Sequence, residues 1–355
     1  MNEPVESRES RVEGLNQTPS LVLTDTLSRP MGEGRGEDFP RPASPGQQAW
    51  LRFKKNRLAV ISAWYLALLL ILVIGWPVTL KVANRLGPTG IAFAQAHDPD
   101  HLSNAQFVAP NARYWFGTDM HGRDVFSRVL YGAQISLFVG FVGAAVSLII
   151  GVLWGAIAGY VGGRVDSALM RIVDILYSLP TIIFVIVLLT TLGTLLKESH
   201  FVQQSAFWGK EMQILLLFVG LGAVSWLTMA RIVRGQVLSL RTRAFVEASR
   251  SLGAGPTRIL ARHIIPNTFG VVITYIALTV PAIVLYESFL SYLGLGVQPP
   301  MASWGTLISD GVAQINPIRI YWWLIAFPGG VLVSTLLALN FLGDGLRDAW
   351  DVKSR

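Results

Sequence analysis

The sequence predicts an all-α integral membrane protein with six transmembrane helices, and three observations carry that prediction. The chain is 52% hydrophobic and only 14% charged, with mean hydropathy +0.48, more apolar surface than one soluble core can hide. Six apolar runs approach the roughly 20 residues a helix needs to cross the hydrocarbon core of a bilayer. Lys and Arg gather in the segments on one side of those runs, as they do in cytoplasmic loops.

Residues 1–46 are rich in Pro, Gly, Ser, Glu and Arg and poor in aromatics, so they cannot bury enough apolar area to offset the entropy of ordering. They read as a disordered cytoplasmic tail. It lacks the apolar stretch of a secretory signal peptide, so the first span reads as a retained anchor. That span, 58–80, sits in a segment 47–81 whose flank carries Arg52, Lys54, Lys55 and Arg57. Residues 82–132 form an extracytoplasmic loop. A five-helix domain over 133–350 follows, with spans at 133–161, 168–195, 212–232, 269–290 and 322–342, and 351–355 form the C-terminal end.

The charge pattern orients this chain with both termini in the cytoplasm. Arg164 and Arg171 bracket the short connection after the second span, and seven Arg between Arg231 and Arg262 crowd the one after the fourth. Arg113, Arg123 and Arg128 oppose the pattern, but they lie in a long loop, where the rule has little weight. Net charge +7 and pI near 9.8 fit anionic inner-leaflet lipid, and not nucleic acid, because the charge is juxtamembrane. The absence of cysteine leaves the outer loops without disulfides.

Inside the membrane, Gly151, Gly155 and Gly159 make a small-residue stripe suited to close helix packing. Pro180, Pro281 and Pro328 fall within spans and favour kinks. The basic connection between spans four and five reads as a helix over 236–252, a break at Gly253-Ala254-Gly255-Pro256, and a second short helix over 257–265 ahead of Pro266. Glu247 offers a carboxylate, and Ala248 and Ser249 permit close approach. Val246, Ser249 and Leu252 share a stripe, and Gly253 supplies a turn that a side chain would obstruct. Such a device suits docking into a partner's cleft, although a solvated basic loop would satisfy topology equally.

Other polar residues read two ways. Glu287, at the end of a long apolar run, either lines a translocation path or lets its carboxylate reach water at the interface. Asp119, Arg123 and Asp124 either build turns and ion pairs or meet an outer partner, while Arg171 and Asp174, three apart, suit a structural pair. His97 and His101 have the spacing of two metal ligands on a helix, but Asp98-Pro99 makes the segment a loop, and no metal site is assigned. No phosphate-binding loop, nucleophile elbow or H-E-x-x-H pair is present, so no catalytic residue and no cofactor is assigned.

The run Glu247-Ala248-Ser249, then Gly253, His263, Ile265 and Pro266, resembles the signature by which ABC-importer permeases grip their ATPases. Ser249 stands for the second Ala, His263 for the usual Ile and Ile265 for Leu. The His263-to-Asn267 run resembles the dipeptide and oligopeptide branch. So do Gly117-Thr118-Asp119, Gly122-Arg123-Asp124, Ser127-Arg128, the 291–296 run, Pro299-Pro300, Trp304-Gly305 and the 342–348 end. The resemblance covers about residues 47–352. It implies a type I ABC importer-like permease of the bacterial inner membrane, with a cytoplasmic coupling helix. The implied partners are a sister permease, two ATPase subunits and an extracytoplasmic binding protein that delivers peptides. A nickel chelate or glutathione is the alternative cargo. A self-contained secondary transporter would call for a ladder of intramembrane acids or an inverted repeat, and neither is evident.

Overall fold

The computed structural model describes residues 45–198 and 208–350, and these are helical apart from turns and one isolated antiparallel bridge between Thr118 and Asp124. The tail expected over 1–46 lies outside the described residues except for Pro45 and Gly46, which begin the first helix; 351–355 lie outside as well. Helix α1 spans Pro45–Lys55 and α2 spans Arg57–Ala83. Asn56 separates them, its side chain accepting the Ala59 N–H to cap α2. α1 packs Ala49 and Phe53 against Ala349 near the C-terminal helix, leaving Trp50 and Leu51 exposed.

The 82–132 segment is more ordered than the expected extracytoplasmic loop. It holds α3, Pro88–Ala96, and an aromatic cluster in which Trp76 packs edge-on against Phe93, His97 and Phe126. Helix α4, Val125–Val161, begins eight residues before the expected start at 133, because the Asp124 carboxylate accepts the Ser127 N–H and Oγ–H and caps it there.

The glycine stripe on α4 faces α7, Trp208–Leu240. A Cβ on Gly151 would sit 2.6 Å from Met229 Cβ, and one on Gly159 would sit 2.8 Å from the Arg234 carbonyl oxygen. Only glycine admits that approach, and close packing is what holds helices together where lipid gives no hydrophobic drive.

Span three is not a single helix. α5, Gly163–Tyr177, and α6, Thr181–Glu198, meet at an 88° bend. Pro180 at the break cannot continue the backbone ladder. Among the described residues four helices are long and apolar enough to cross a membrane, or five if the bent pair is one span, where the sequence predicted six. The predicted span 212–232 overlaps α7, the first part of which lies outside the residues whose side chains are described.

After α7 come α8, Ala244–Ser251, and α9, Pro256–Ile259. A π-helical turn at Leu260–Ile264 leads into α10, Ile265–Tyr292. The chain closes with α11, Trp304–Val312, started by a Ser303/Thr306 capping box, and α12, Trp323–Trp350. The core lies where α4 and α10 meet, around Val139, Ile283 and Val284.

Candidate functional site

The connection between α7 and α10 is built differently from the expected helix over 236–252. α7 ends at Leu240, a turn through Arg241 and Thr242 reverses it, and α8 restarts at Ala244 after Arg243. Arg241 donates to the Gly159 carbonyl at 3.1 Å, tying this turn to the end of α4. The second arm does not end before Pro266. Backbone helix runs unbroken from Pro256 to Tyr292, and the π turn absorbs the misfit. Pro266 has no N–H for the Arg262 carbonyl and its ring would crowd it, which a widened turn relieves. Asn267 Nδ2 donates to the neighbouring His263 carbonyl at 2.6 Å.

Val246 sits on the inner side of α8 and is fully buried with Ile259, Ile264 and Val237, so it pins both arms to the end of α7. The expected docking stripe of Val246, Ser249 and Leu252 is therefore divided. Val246 faces the chain's own core and Ser249 is half-buried with its Oγ–H on the Phe245 carbonyl, whereas Leu252 is 88% exposed. Glu247, Ala248 and Phe245 are exposed beside Leu252, so the presented face is Phe245, Glu247, Ala248 and Leu252.

Gly253 ends α8 with φ +80°. Its N–H reaches the Arg250 carbonyl at 3.0 Å and the Ala254 N–H reaches the Ser249 carbonyl at 3.1 Å, the paired bonds of a Schellman cap. The space a Cβ would fill is open. Glycine is needed here for the left-handed backbone, and not, as the sequence suggested, for want of room. His263 lies in the π turn on the second arm and Pro266 at the start of α10, and the π turn is joined to α8 through the Val246 cluster.

Glu287 corrects both expectations for it. Its side chain is 0% exposed, so it neither lines an open path nor reaches water. Ser136 donates to Oε2 at 2.8 Å and Ser291 to Oε1 at 2.7 Å. Those serines in turn accept the N–H of Trp304 and of Val297, so one carboxylate organises α4, α10 and the start of α11. Serines at i+1 and i+4 were visible in the sequence, but Ser136, 151 positions away, was not.

Asp119 and Asp124 are tied into the fold of their own segment and the start of α4. Asp124 is 0% exposed, capping α4 and lying 3.0 Å from His97 Nδ1, so it cannot meet a partner. Asp119 accepts the N–H groups of His121 and Arg123 and the guanidiniums of Arg123 and Arg128. Burial acts to raise its pKa, yet the Arg123 N–H and the charges of Arg128 and Arg123 together hold the carboxyl below the usual carboxylate range. Arg123 keeps partial exposure. Asp174 pairs with Arg231 at 2.8 Å and not with Arg171, because the bent span brings α5 alongside α7. No cluster of three potential metal ligands occurs among the described residues.

Residues 151–355 match the family model of the binding-protein-dependent transport system inner membrane component, and residues 44–88 match the N-terminal transmembrane domain of oligopeptide transport permease C. The chain is 40% identical, over the full length of both proteins, to the dipeptide transport system permease protein DppC of Bacillus subtilis (strain 168). It is 44% identical to the oligopeptide transport system permease protein OppC of Escherichia coli (strain K12), covering 87% of this chain and 91% of that one. A chain of the MetNI methionine ABC transporter in an inward-facing conformation aligns at TM-score 0.46 and 22% identity, over 62% of this chain and 94% of the other. This chain belongs to the family of binding-protein-dependent transport system inner membrane components, as a multi-pass permease subunit of the peptide-transporter type that is not itself an enzyme.

Proposed function

We propose that this chain forms, with a sister permease, the path by which an ATP-driven importer carries di- and oligopeptides across the bacterial inner membrane, with both termini in the cytoplasm. The presented face of α8, braced from behind by Val246 and ended by Gly253, carries the reading. A short amphipathic helix with a buried apolar anchor and an exposed Glu-Ala-Leu face is shaped to enter a groove on another protein. Two ATPase subunits would supply those grooves, one for each permease. An extracytoplasmic binding protein would deliver cargo to the outer turn, where Arg123 keeps partial exposure. Anionic lipid would surround the basic flank of α1 and α2. ATP and cargo must differ in affinity for the inward-open and outward-open states for such coupling to do work.

A mild-detergent pull-down of the C-terminally tagged protein from its native membranes, with mass spectrometry of the co-purifying chains, tests this. Recovery of a second permease and ATP-binding subunits, lost when Gly253 is replaced by Asp, is the expected result. Recovery of this chain alone, from membranes in which it still transports, would overturn the reading in favour of an autonomous carrier.

A further inference from the structure

Between the α5–α6 elbow, α7 and α10 lies a cleft of about 290 Å³. Seven of its lining residues carry hydroxyls and none carries a charge. On α10, Tyr275, Thr279 and Tyr286 recur at spacings of four and seven, which places them on one helical face. Thr228 of α7 lines the same cleft opposite Tyr275. The hydroxyls of Tyr177, Thr181 and Tyr286 have no protein partner among the described residues. Tyr177 is 51% exposed and Thr181 and Tyr286 are half-buried, so these three hydroxyls are open to whatever fills the cleft. At the elbow, Arg231 lies 4.2 Å over the Tyr177 ring and pairs with Asp174 at 2.8 Å, so the adjacent charge is held aside and neutralised.

We propose that this cleft is the chain's share of the translocation path and that its hydroxyls handle the amide backbone of a passing peptide. The inference rests on the peptide-importer reading above and replaces Glu287 as the path residue. A peptide backbone presents one donor and one acceptor at nearly every residue, and each hydroxyl can donate or accept. A hydroxyl wall therefore satisfies the chain in any register as it slides. With no charge on the wall, peptides bearing Lys or Glu meet no counter-ion that would trap them.

The test uses the complete importer in proteoliposomes, with its loaded binding protein and trialanine as the probe. Tyr177→Phe, Tyr286→Phe and Thr228→Val together remove three hydroxyls and little volume. Trialanine uptake is expected to fall roughly tenfold, a few-fold for each hydrogen bond lost, while ATP hydrolysis stimulated by the loaded binding protein is retained. Uptake equal to the parent's overturns the proposal. Because the chain has no cysteine, Thr228→Cys gives this subunit a unique thiol that reads the cleft even where the triple variant does not assemble. Trialanine with ATP should slow its maleimide labelling severalfold, with no such effect at Ile61→Cys on the exposed face of α2. Labelling indifferent to cargo also overturns the proposal. A parent importer that takes up no peptide overturns the peptide reading itself, whereas normal parental uptake with neither substitution having an effect removes only the cleft assignment.

Discussion

Arg234 grips Asp166 with two bonds, Nε to Oδ1 at 2.5 Å and Nη2 to Oδ2 at 2.6 Å, and so ties the start of α5 to the C-terminal part of α7. The pair is partly open to solvent, which limits its worth despite the fork geometry. A double-mutant cycle with Asp166→Asn and Arg234→Gln is expected to give a coupling of about 1 kcal/mol in thermal unfolding of the detergent-solubilised protein. Coupling indistinguishable from zero would mean the pair only decorates the surface.

Gly253→Ala forces a Cβ into left-handed backbone at φ +80° although the neighbouring space is empty. The expected local cost is about 1 kcal/mol, enough to fray the end of α8. Peptide uptake should drop while the amount of protein in the membrane stays the same, and Gly253→Asn, which tolerates this conformation better, should fall between Gly and Ala. Equal uptake by all three would separate the cap from transport.

Replacing Glu287 orphans the serine hydroxyls it accepts. Glu287→Leu leaves Ser136 and Ser291 without their acceptor in a dry site, at a cost of about 2–3 kcal/mol. Glu287→Gln keeps the shape and one carbonyl acceptor, so its melting temperature should lie between parent and Leu. A Leu variant as stable as the parent would show the cage to be incidental.

The outer turn should be acid-sensitive. The folded-state pKa of Asp119 is depressed, so its stabilisation is fully present above the ordinary carboxylate value of 3.8 and is lost as pH falls below it toward the folded value. Limited proteolysis of the 82–132 segment should show progressive opening as pH falls below the ordinary carboxylate value of 3.8. Asp119→Asn should open the segment at neutral pH and abolish that dependence.

The membrane spans were readable because twenty apolar residues in a row have few other uses, and the turn at Gly253 was readable because the run Gly253-Ala254-Gly255-Pro256 breaks a helix. What stayed hidden depends on contacts distant in sequence. Nothing local says that Val246 faces inward while Leu252 faces out, since both are apolar and six apart; only the Ile259 and Ile264 side chains decide it. Nor does Asp174 announce Arg231, 57 positions away, over the nearer Arg171. The hydroxyl spacing on α10 was the one unread signal, masked because Thr and Tyr also occur in ordinary spans.

The unbroken helix from Pro256 to Tyr292 has a mechanical consequence. At 1.5 Å per residue it is a rod about 55 Å long. Near Pro281 it is clasped by α4, where a Cβ on Gly140 would stand 2.5 Å from Val284 Cγ2 and one on Gly143 would stand 3.1 Å from Ile283 Cγ2. That clasp divides the rod into arms of about 37 Å and 17 Å, so it is the natural fulcrum. A sideways push on the Pro256 end would then arrive at Tyr292 reversed in direction, with its travel divided and its force multiplied about twofold. The long arm belongs to the side where α8 is exposed, so a push delivered there would be geared down, a wide stroke at one end becoming a short, firm displacement at the other.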